Sequence, residues 1–257
     1  MSKTRHQDES VLVRTYGLTF SRNSIVPPAS EAWDQLVYAT RGVLTVRTNV
    51  GTWVVPPYRA LWLPANTPCT LEVLGQTALR MLYLKRRPDL AALSSFDRDR
   101  CAVVGVSPLL RELILRTIHI GVLQAEEPCH QRLTGLIHDE LLAVDTMPLQ
   151  LPYPTNEQAL AFATRLETLV GNPFDMDISV LVSGASRRTL ERVFRRETGM
   201  SLGQWVRRRK LLEGLRLMAE GATVSDVAFR LGYNGPSAFI AMFKRELGDT
   251  PGEYLKA

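Results

Sequence analysis

The chain has 257 residues, 45% of them hydrophobic and 22% charged, with a formal net charge of +5, ordinary values for a globular protein long enough to favour two domains over one. No apolar run approaches the ~18–20 residues of a membrane span, and the charged N-terminus MSKTRHQDESVLVR has no apolar signal core, so a cytoplasmic protein away from the membrane is expected. Cys69, Cys101 and Cys129 are odd in number and widely spaced, which argues against a disulfide framework or a CxxC metal site and for three reduced thiols.

Residues 33 to 84 alternate apolar and polar positions in short runs, such as Gln35-Leu36-Val37-Tyr38, Val43-Leu44-Thr45-Val46 and Ala60-Leu61-Trp62-Leu63. Glycines and prolines punctuate them, as in an antiparallel barrel or sandwich. The period then changes. From Pro108 to Val122 the residues Leu109, Leu110, Leu113, Ile114, Leu115, Ile118 and Val122 fall largely at helical spacing, and Leu133, Leu136, Ile137, Leu141 and Leu142 repeat it over 130–144. Residues 146–155 (TMPLQLPYPT) hold three prolines, which block a helix and predict an extended linker. Beyond the linker every segment reads helical: 157–170, 176–183, 186–197, 202–220, 223–231 and 236–247. Glycine follows most of these segments, as expected of a left-handed helix terminator.

Charge is concentrated in this second half. Between Gly184 and Arg216 stand ten basic residues (Arg187, Arg188, Arg192, Arg195, Arg196, Arg207, Arg208, Arg209, Lys210 and Arg216) against Glu191, Glu197 and Glu213, a local +7 that leaves −2 for the rest of the chain. Focused positive charge suits a polyanion surface, although a solvated basic helix face explains it equally well. One pattern also occurs twice. SGASRRTLERVFRRETG (183–199) and LGYNGPSAFIAMFKRELG (231–248) each join a glycine turn to a Ser-led helix with aromatic anchors. Leu190, Val193 and Phe194 in the first copy, and Phe239, Met242 and Phe243 in the second, take i, i+3, i+4 inward places, leaving a polar face out. Two helices joined by such a turn make the helix-turn-helix that enters a major groove.

The stretches SRRTLERVFRRETGMSLGQW (186–205), VSDVAFRLGY (224–233) and SAFIAMFKRELGDTPGEY (237–254) resemble the AraC/XylS-type transcription regulators over roughly residues 156–257. The resemblance implies two helix-turn-helix units joined by the long helix 202–220, with recognition helices in successive major grooves of double-stranded DNA. It implies base-reading places at Arg188 and Arg192 in the first unit and at Ser237 and Ala241 in the second. Ser186, Arg187, Arg195, Arg196, Lys244 and Arg245 complete the expected DNA-binding set. Arginine can pair bidentately with guanine, whereas serine and alanine offer weaker readout. The first unit is therefore expected to supply most base specificity and the second mainly to grip the backbone. The chain departs from the family pattern at Ser179 and Val180, where Leu-Ala is usual.

Residues 33–47 (WDQLVYATRGVLTVR) and 53–69 (WVVPPYRALWLPANTPC) are similar to the cupin-type sensor that precedes this DNA-binding domain in one subgroup. At the places where cupins carry histidine ligands this chain has Ala29, Glu31 and Cys69, so no metal cofactor is expected. Glu31, Tyr38, Trp53, Tyr58, Trp62 and Cys69 are the candidate effector-pocket residues, with an ordinary core role open for the aromatics. The fold class is thus α+β in two domains. A cupin-like β-barrel (about 11–85) with flanking helices (about 106–145) forms a domain of residues 1–145, followed by the linker 146–155 and an all-α double helix-turn-helix domain over 156–257. The expected function is sequence-specific, effector-controlled transcription regulation, as activator or repressor. A homodimer is expected, with the 108–122 and 130–144 helices either as its contact or covering their own barrel, and RNA polymerase as a partner of an activator. The competing readings are a cupin-type metalloenzyme and a protein that coats DNA without sequence preference.

Overall fold

The computed structural model describes residues 10–21, 24–29, 32–86, 96–147, 149–168 and 183–254. The chain divides into two compact units, Met1–Thr48 with Val55–Pro148, and Asn49–Val54 with Leu149–Ala257. The architecture is α+β, with the sheet first and the helices after it.

The strands are β1 (Val11–Phe20), β2 (Ser24–Ala29), β3 (Asp34–Thr48), β4 (Gly51–Val55), β5 (Arg59–Leu63), β6 (Cys69–Leu84), β7 (Ala102–Gly105), β8 (Val122–Gln124), β9 (Thr146–Met147) and β10 (Gln150–Pro152). In the first unit they follow the order β8-β1-β6-β3-β5-β7-β9, with β2 also on β6. The long antiparallel pair β3 and β6 sets the register, Leu36 facing Leu82 and Leu44 facing Val73. Its register shifts around Arg41, where Gly42 adopts φ 84° and an added Cβ would stand 2.2 Å from Thr77 Oγ1. A side chain here meets both strain and collision, so glycine is what lets β3 bend.

Two helices cover one face of this sheet, α1 (Pro108–Ile120) and α2 (Pro128–Leu142). Ser107 caps α1 by accepting from Leu110 N at 2.9 Å, and Pro108 occupies the first turn, where its missing N–H costs nothing. Leu110, Ile114, Ile137 and Leu141 pack with Leu36, Tyr38, Trp62 and Leu82 in one core. The apolar stripe of these helices is spent on their own sheet, and Leu109 and Leu136 remain exposed. Helical spacing read through Val122 ends earlier: Gly121 at φ 92° closes α1, and Val122 pairs with Arg14 as part of β8.

In the second unit β4 pairs with β10, Trp53 facing Gln150. The stretch read as an extended linker thus carries hydrogen-bonded strands at both 146–147 and 150–152. The helices are α3 (Glu157–Thr168), α4 (Arg187–Thr198), α5 (Leu202–Ala219), α6 (Val224–Arg230), α7 (Pro236–Leu247) and the short α8 (Pro251–Tyr254). Sequence-encoded caps start several of them. Ser186 accepts from Thr189 N at 3.1 Å, and Ser201 with Gln204 and Thr223 with Asp226 form reciprocal capping boxes. Gly199 ends α4 in the left-handed region, at φ 72°. The helix expected over 176–183 lies outside the described residues except for Ser183, and Ser179 and Val180 fall with it.

Candidate nucleic-acid interface

Two aromatic clusters hold the helices of the second unit together. Phe162 of α3, Phe194 of α4 and Trp205 of α5 meet with ring centroids 5.2–6.5 Å apart, and the Trp205 indole N–H donates to the Pro152 carbonyl at 2.7 Å. Around α7, Phe239 contacts Tyr233 and Phe243, and Phe243 contacts Tyr254, at 5.5–5.8 Å. Each cluster fixes one outward-facing helix, α4 in the first case and α7 in the second.

On α4, Leu190, Val193 and Phe194 are buried while Arg187, Arg188, Arg192, Arg195 and Arg196 are exposed. Ser186, Arg188, Thr189, Glu191, Arg192 and Arg195 line a surface concavity of about 650 Å³. The two acidic residues of this helix are tied into structure. Glu191 accepts from Leu202 N at 3.1 Å, at the start of α5. Glu197 pairs with Arg196 and accepts from Asn156 N, Thr155 N and Thr155 Oγ at 2.8–3.0 Å. The Arg196 contact, then these backbone and hydroxyl donors, hold the Glu197 carboxyl at about 2. The exposed face of α4 therefore presents arginine with little opposing charge.

Helix α7 presents a different surface. Ser237, Ala241, Lys244 and Arg245 are all exposed, with Phe239, Met242 and Phe243 turned inward. A single turn separates α7 from α6. Gly232 at φ 70° opens it, and Tyr233 N donates to Ala228 O at 2.9 Å. This is the tight glycine turn read in the sequence.

The basic run counted in the sequence is not one continuous exposed patch. Arg209 is buried, and Lys210 sits 4.9 Å from the Tyr233 ring centroid, with burial and then Arg209 lowering its pKa. Arg216 pairs bidentately with Glu213 at 2.6 and 2.9 Å and reaches Glu220 at 2.8 Å. The basic residues of α5 largely serve the packing of the unit, and those of α4 face outward. Sequence spacing did not separate the two, because burial depends on which face of α5 its neighbours cover.

The candidate sensor residues scatter. Tyr38 and Trp62 are buried in the core beneath α1 and α2, where Trp62 Nε1 donates to Arg98 O at 3.0 Å and Phe96 packs edge-on at 5.8 Å. Burial pushes the Tyr38 phenol up. Tyr58 lies at the surface with φ 60°. Trp53 is a buried β4 residue of the second unit. Cys69 is buried and pairs across strands with Ala29, so two of the three histidine positions implied by resemblance face each other, while Glu31 lies outside the described residues. Among the described residues no three of His, Cys, Asp and Glu gather as metal ligands. A cavity of about 350 Å³ does exist in the first unit, lined by Arg14, Thr15, Tyr16, Trp33 and Tyr83. These residues were not singled out in the sequence, because they meet only through the pairing of β1 with β6, far away in the chain.

Comparison with known proteins follows the same division. The model of the AraC-like ligand binding domain matches residues 16–129, and that of a helix-turn-helix domain matches 182–257. The HTH-type transcriptional regulator NimR of Escherichia coli (strain K12) is 32% identical over 224 residues, covering 86% of this chain and 79% of NimR. The regulatory protein SoxS of Salmonella typhimurium is 34% identical over 86 residues, covering 33% of this chain and 80% of SoxS. Among solved structures, the DNA-binding domain of the global transcriptional factor AdpA, crystallised with a target DNA, is 32% identical and covers 40% of this chain and 92% of that one, with a TM-score of 0.35. On the two domain models and the NimR match the chain belongs to the AraC/XylS-type family of DNA-binding, helix-turn-helix transcription regulators with an N-terminal ligand-binding domain.

Proposed function

We propose that α4 reads bases and α7 chiefly holds the phosphate backbone, in a cytoplasmic regulator whose DNA affinity is set by a small effector in the first unit. The observation that carries the assignment is the contrast between the two outward faces, with Arg187, Arg188, Arg192, Arg195 and Arg196 on α4 against Ser237, Ala241, Lys244 and Arg245 on α7. Arginine forks match the two acceptors on guanine, whereas a lysine or arginine beside a small neutral pair suits phosphate. Ser186, whose hydroxyl accepts from Thr189 N, is in place to start α4 and to meet a phosphate next to it. The effector acts only through unequal affinity for two states of the protein. In this reading no resident metal is needed and no reaction is catalysed. The protein works as a homodimer or as copies on tandem sites, and contacts RNA polymerase where it activates.

The test is selection of bound fragments from genomic DNA, followed by affinity measurements on the winning site. Arg192→Ala is expected to weaken the specific site by about 1–3 kcal/mol and to relax preference at one base pair. Lys244→Ala should weaken all sequences alike and lower the salt dependence by about one counterion. A larger loss from Ala241→Ser than from Arg192→Ala reverses the assignment. Equal binding to every sequence, with and without candidate effectors, sinks the specific-regulator reading in favour of DNA coating. Sedimentation of the free protein tests the dimer.

A further inference from the structure

We propose that the segment Asn49–Val54, which lies inside the span matched by the ligand-binding domain, positions α4 and thereby helps determine base readout; this rests on the reading that α4 reads bases. The segment belongs to the second unit, whereas the chain on either side of it, up to Thr48 and from Val55 on, belongs to the first. Residues Val50 to Val54 are held against the stretch 149–153. Gly51, Thr52 and Trp53 face Pro152, Leu151 and Gln150 in antiparallel register. Tyr153 N donates to Val50 O at 3.2 Å, and Val54 N donates to Leu149 O at 3.3 Å. The hydroxyls of Thr52 and Tyr153 share a further hydrogen bond.

The strand that β4 holds is the one that fixes α4. Pro152 O accepts from the indole of the buried Trp205, whose ring stands 5.2 Å from that of Phe194 on α4. A few residues on, Thr155 and Asn156 donate to Glu197 in the last turn of the same helix. Residues 152–156 thus anchor α4 through Phe194 and Glu197, and Arg188 and Arg192 lie on its N-terminal side. Arg188 is six residues before Phe194, ~9 Å along the axis, so a tilt of about 10° about these anchors moves it by ~1.5 Å. That displacement is enough to spoil a bidentate contact with a base edge. A strand as short as β10 has no stability of its own, so its place depends on β4.

The pairing is also closely built. An added Cβ at Gly51 would stand 2.6 Å from Leu151 O and 3.1 Å from Pro152 Cα, both of them backbone atoms that cannot turn aside. Any side chain there pushes β4 and β10 apart, at the residue whose partner, Pro152, accepts from Trp205. Because both flanks of 49–54 continue into the first unit, a rearrangement there that pulls on either flank has a covalent route to α4.

The experiment uses the full-length protein, its selected operator and a scrambled duplex of the same length, at a temperature well below the Tm of every variant. Arg188→Ala and Arg192→Ala first identify the base pairs that α4 reads. Gly51→Ala should lower the ratio of operator to scrambled affinity about tenfold, with the loss falling on those base pairs and the salt dependence of scrambled binding unchanged. Tyr153→Phe and Thr52→Val should each lower the ratio about threefold, and together little more than either alone, because both remove the same hydrogen bond. Thr52→Ser should keep the parent ratio. Leu141→Ala, in the core of the first unit, controls for lost stability: it should lower Tm and leave the ratio unmoved. If Gly51→Ala does not fold, the hydroxyl variants carry the test. A ratio unmoved by the β4 and Tyr153 variants, an equal fall with Leu141→Ala, or a loss confined to base pairs that the arginine variants leave alone overturns the positioning role and leaves the reading of α4 standing. If the arginine variants change no base preference, the reading of α4 falls and the proposal falls with it.

Discussion

Glu197 ties two pieces of the DNA-binding unit at one carboxylate, accepting from Thr155 and Asn156 before α3 while pairing with its own neighbour Arg196 on α4. Its folded pKa of about 2 lies below the ordinary 4.5, so the ionised form is the one that stabilises. That contribution is complete above 4.5 and disappears as the pH falls from 4.5 to about 2. Glu197→Gln should therefore lower Tm by a few degrees at pH 7, and the gap from the parent should close as the pH is brought down through that window. A gap that stays constant with pH would assign the effect to packing. Thiols give a second residue-scale expectation. Burial pushes the Cys69 thiol up, and burial together with the nearby Cys69 pushes Cys101 to about 12, whereas Cys129 is exposed. At pH 8 the native protein should take one maleimide label, at Cys129, and all three only after denaturation. Rapid labelling of Cys69 in the native state would contradict its burial. The sequence singled out Cys69 by its place in the resemblance, but it did not show which of the three thiols is exposed, since depth is set by distant packing.

Helix α5 joins the two helix-turn-helix units, and its sequence is neither simply amphipathic nor simply basic, because both units pack on it. Gly214 shows the constraint. An added Cβ would stand 2.9 Å from two atoms of the Phe239 ring and 3.4 Å from Leu231. The ring is pinned by Tyr233 and Phe243 and cannot swing away. Gly214→Ala gains ~1 kcal/mol of helix propensity but meets overpacking of about 1–3 kcal/mol, so a net loss of stability is expected in chemical denaturation. Gly214→Ala combined with Phe239→Leu should cost less than the sum of the single changes, because the smaller side chain removes the collision. Additive losses would refute the contact. The elements legible in the sequence were those fixed by local chemistry. Gly199 and Gly232 marked helix ends and turns, and Leu190, Phe194, Phe239 and Phe243 the inward faces, while the capping boxes at Ser201 and Thr223 emerged only from the structure. Short strands such as β7, β8 and β10 were not legible, because three or four residues carry no period and depend on distant partners. The same reason hid the Arg14, Trp33 and Tyr83 cavity, whereas the arginine face of α4 could be read directly from spacing.

At the scale of the whole chain, the DNA-binding unit begins before the first residue of its helices. Residues 156–257 contain all of α3 to α8, which makes Asn156 an inviting place to cut. Such a cut removes Pro152, the acceptor for the buried Trp205 indole, and Tyr153, whose hydroxyl is hydrogen-bonded to Thr52. It also removes the Thr155 donors to Glu197. A buried N–H left without its acceptor costs about 1–3 kcal/mol, and Trp205 sits in the cluster that positions α4. A fragment of 149–257 keeps the acceptor and the Thr155 contacts but loses the β4 strand that pairs with β10. Stability should therefore rise in the order 156–257, 149–257, full chain, read as the denaturation midpoint of the helical circular-dichroism signal. Trp205→Phe in the full chain, which keeps most of the ring contact and removes the N–H, should lower the midpoint through lost packing without leaving an unpaired donor, while in 156–257 the same change should be close to neutral. If both fragments unfold at the same midpoint, residues 149–155 are a passive connector and the proline-rich stretch is only the spacer its composition suggests.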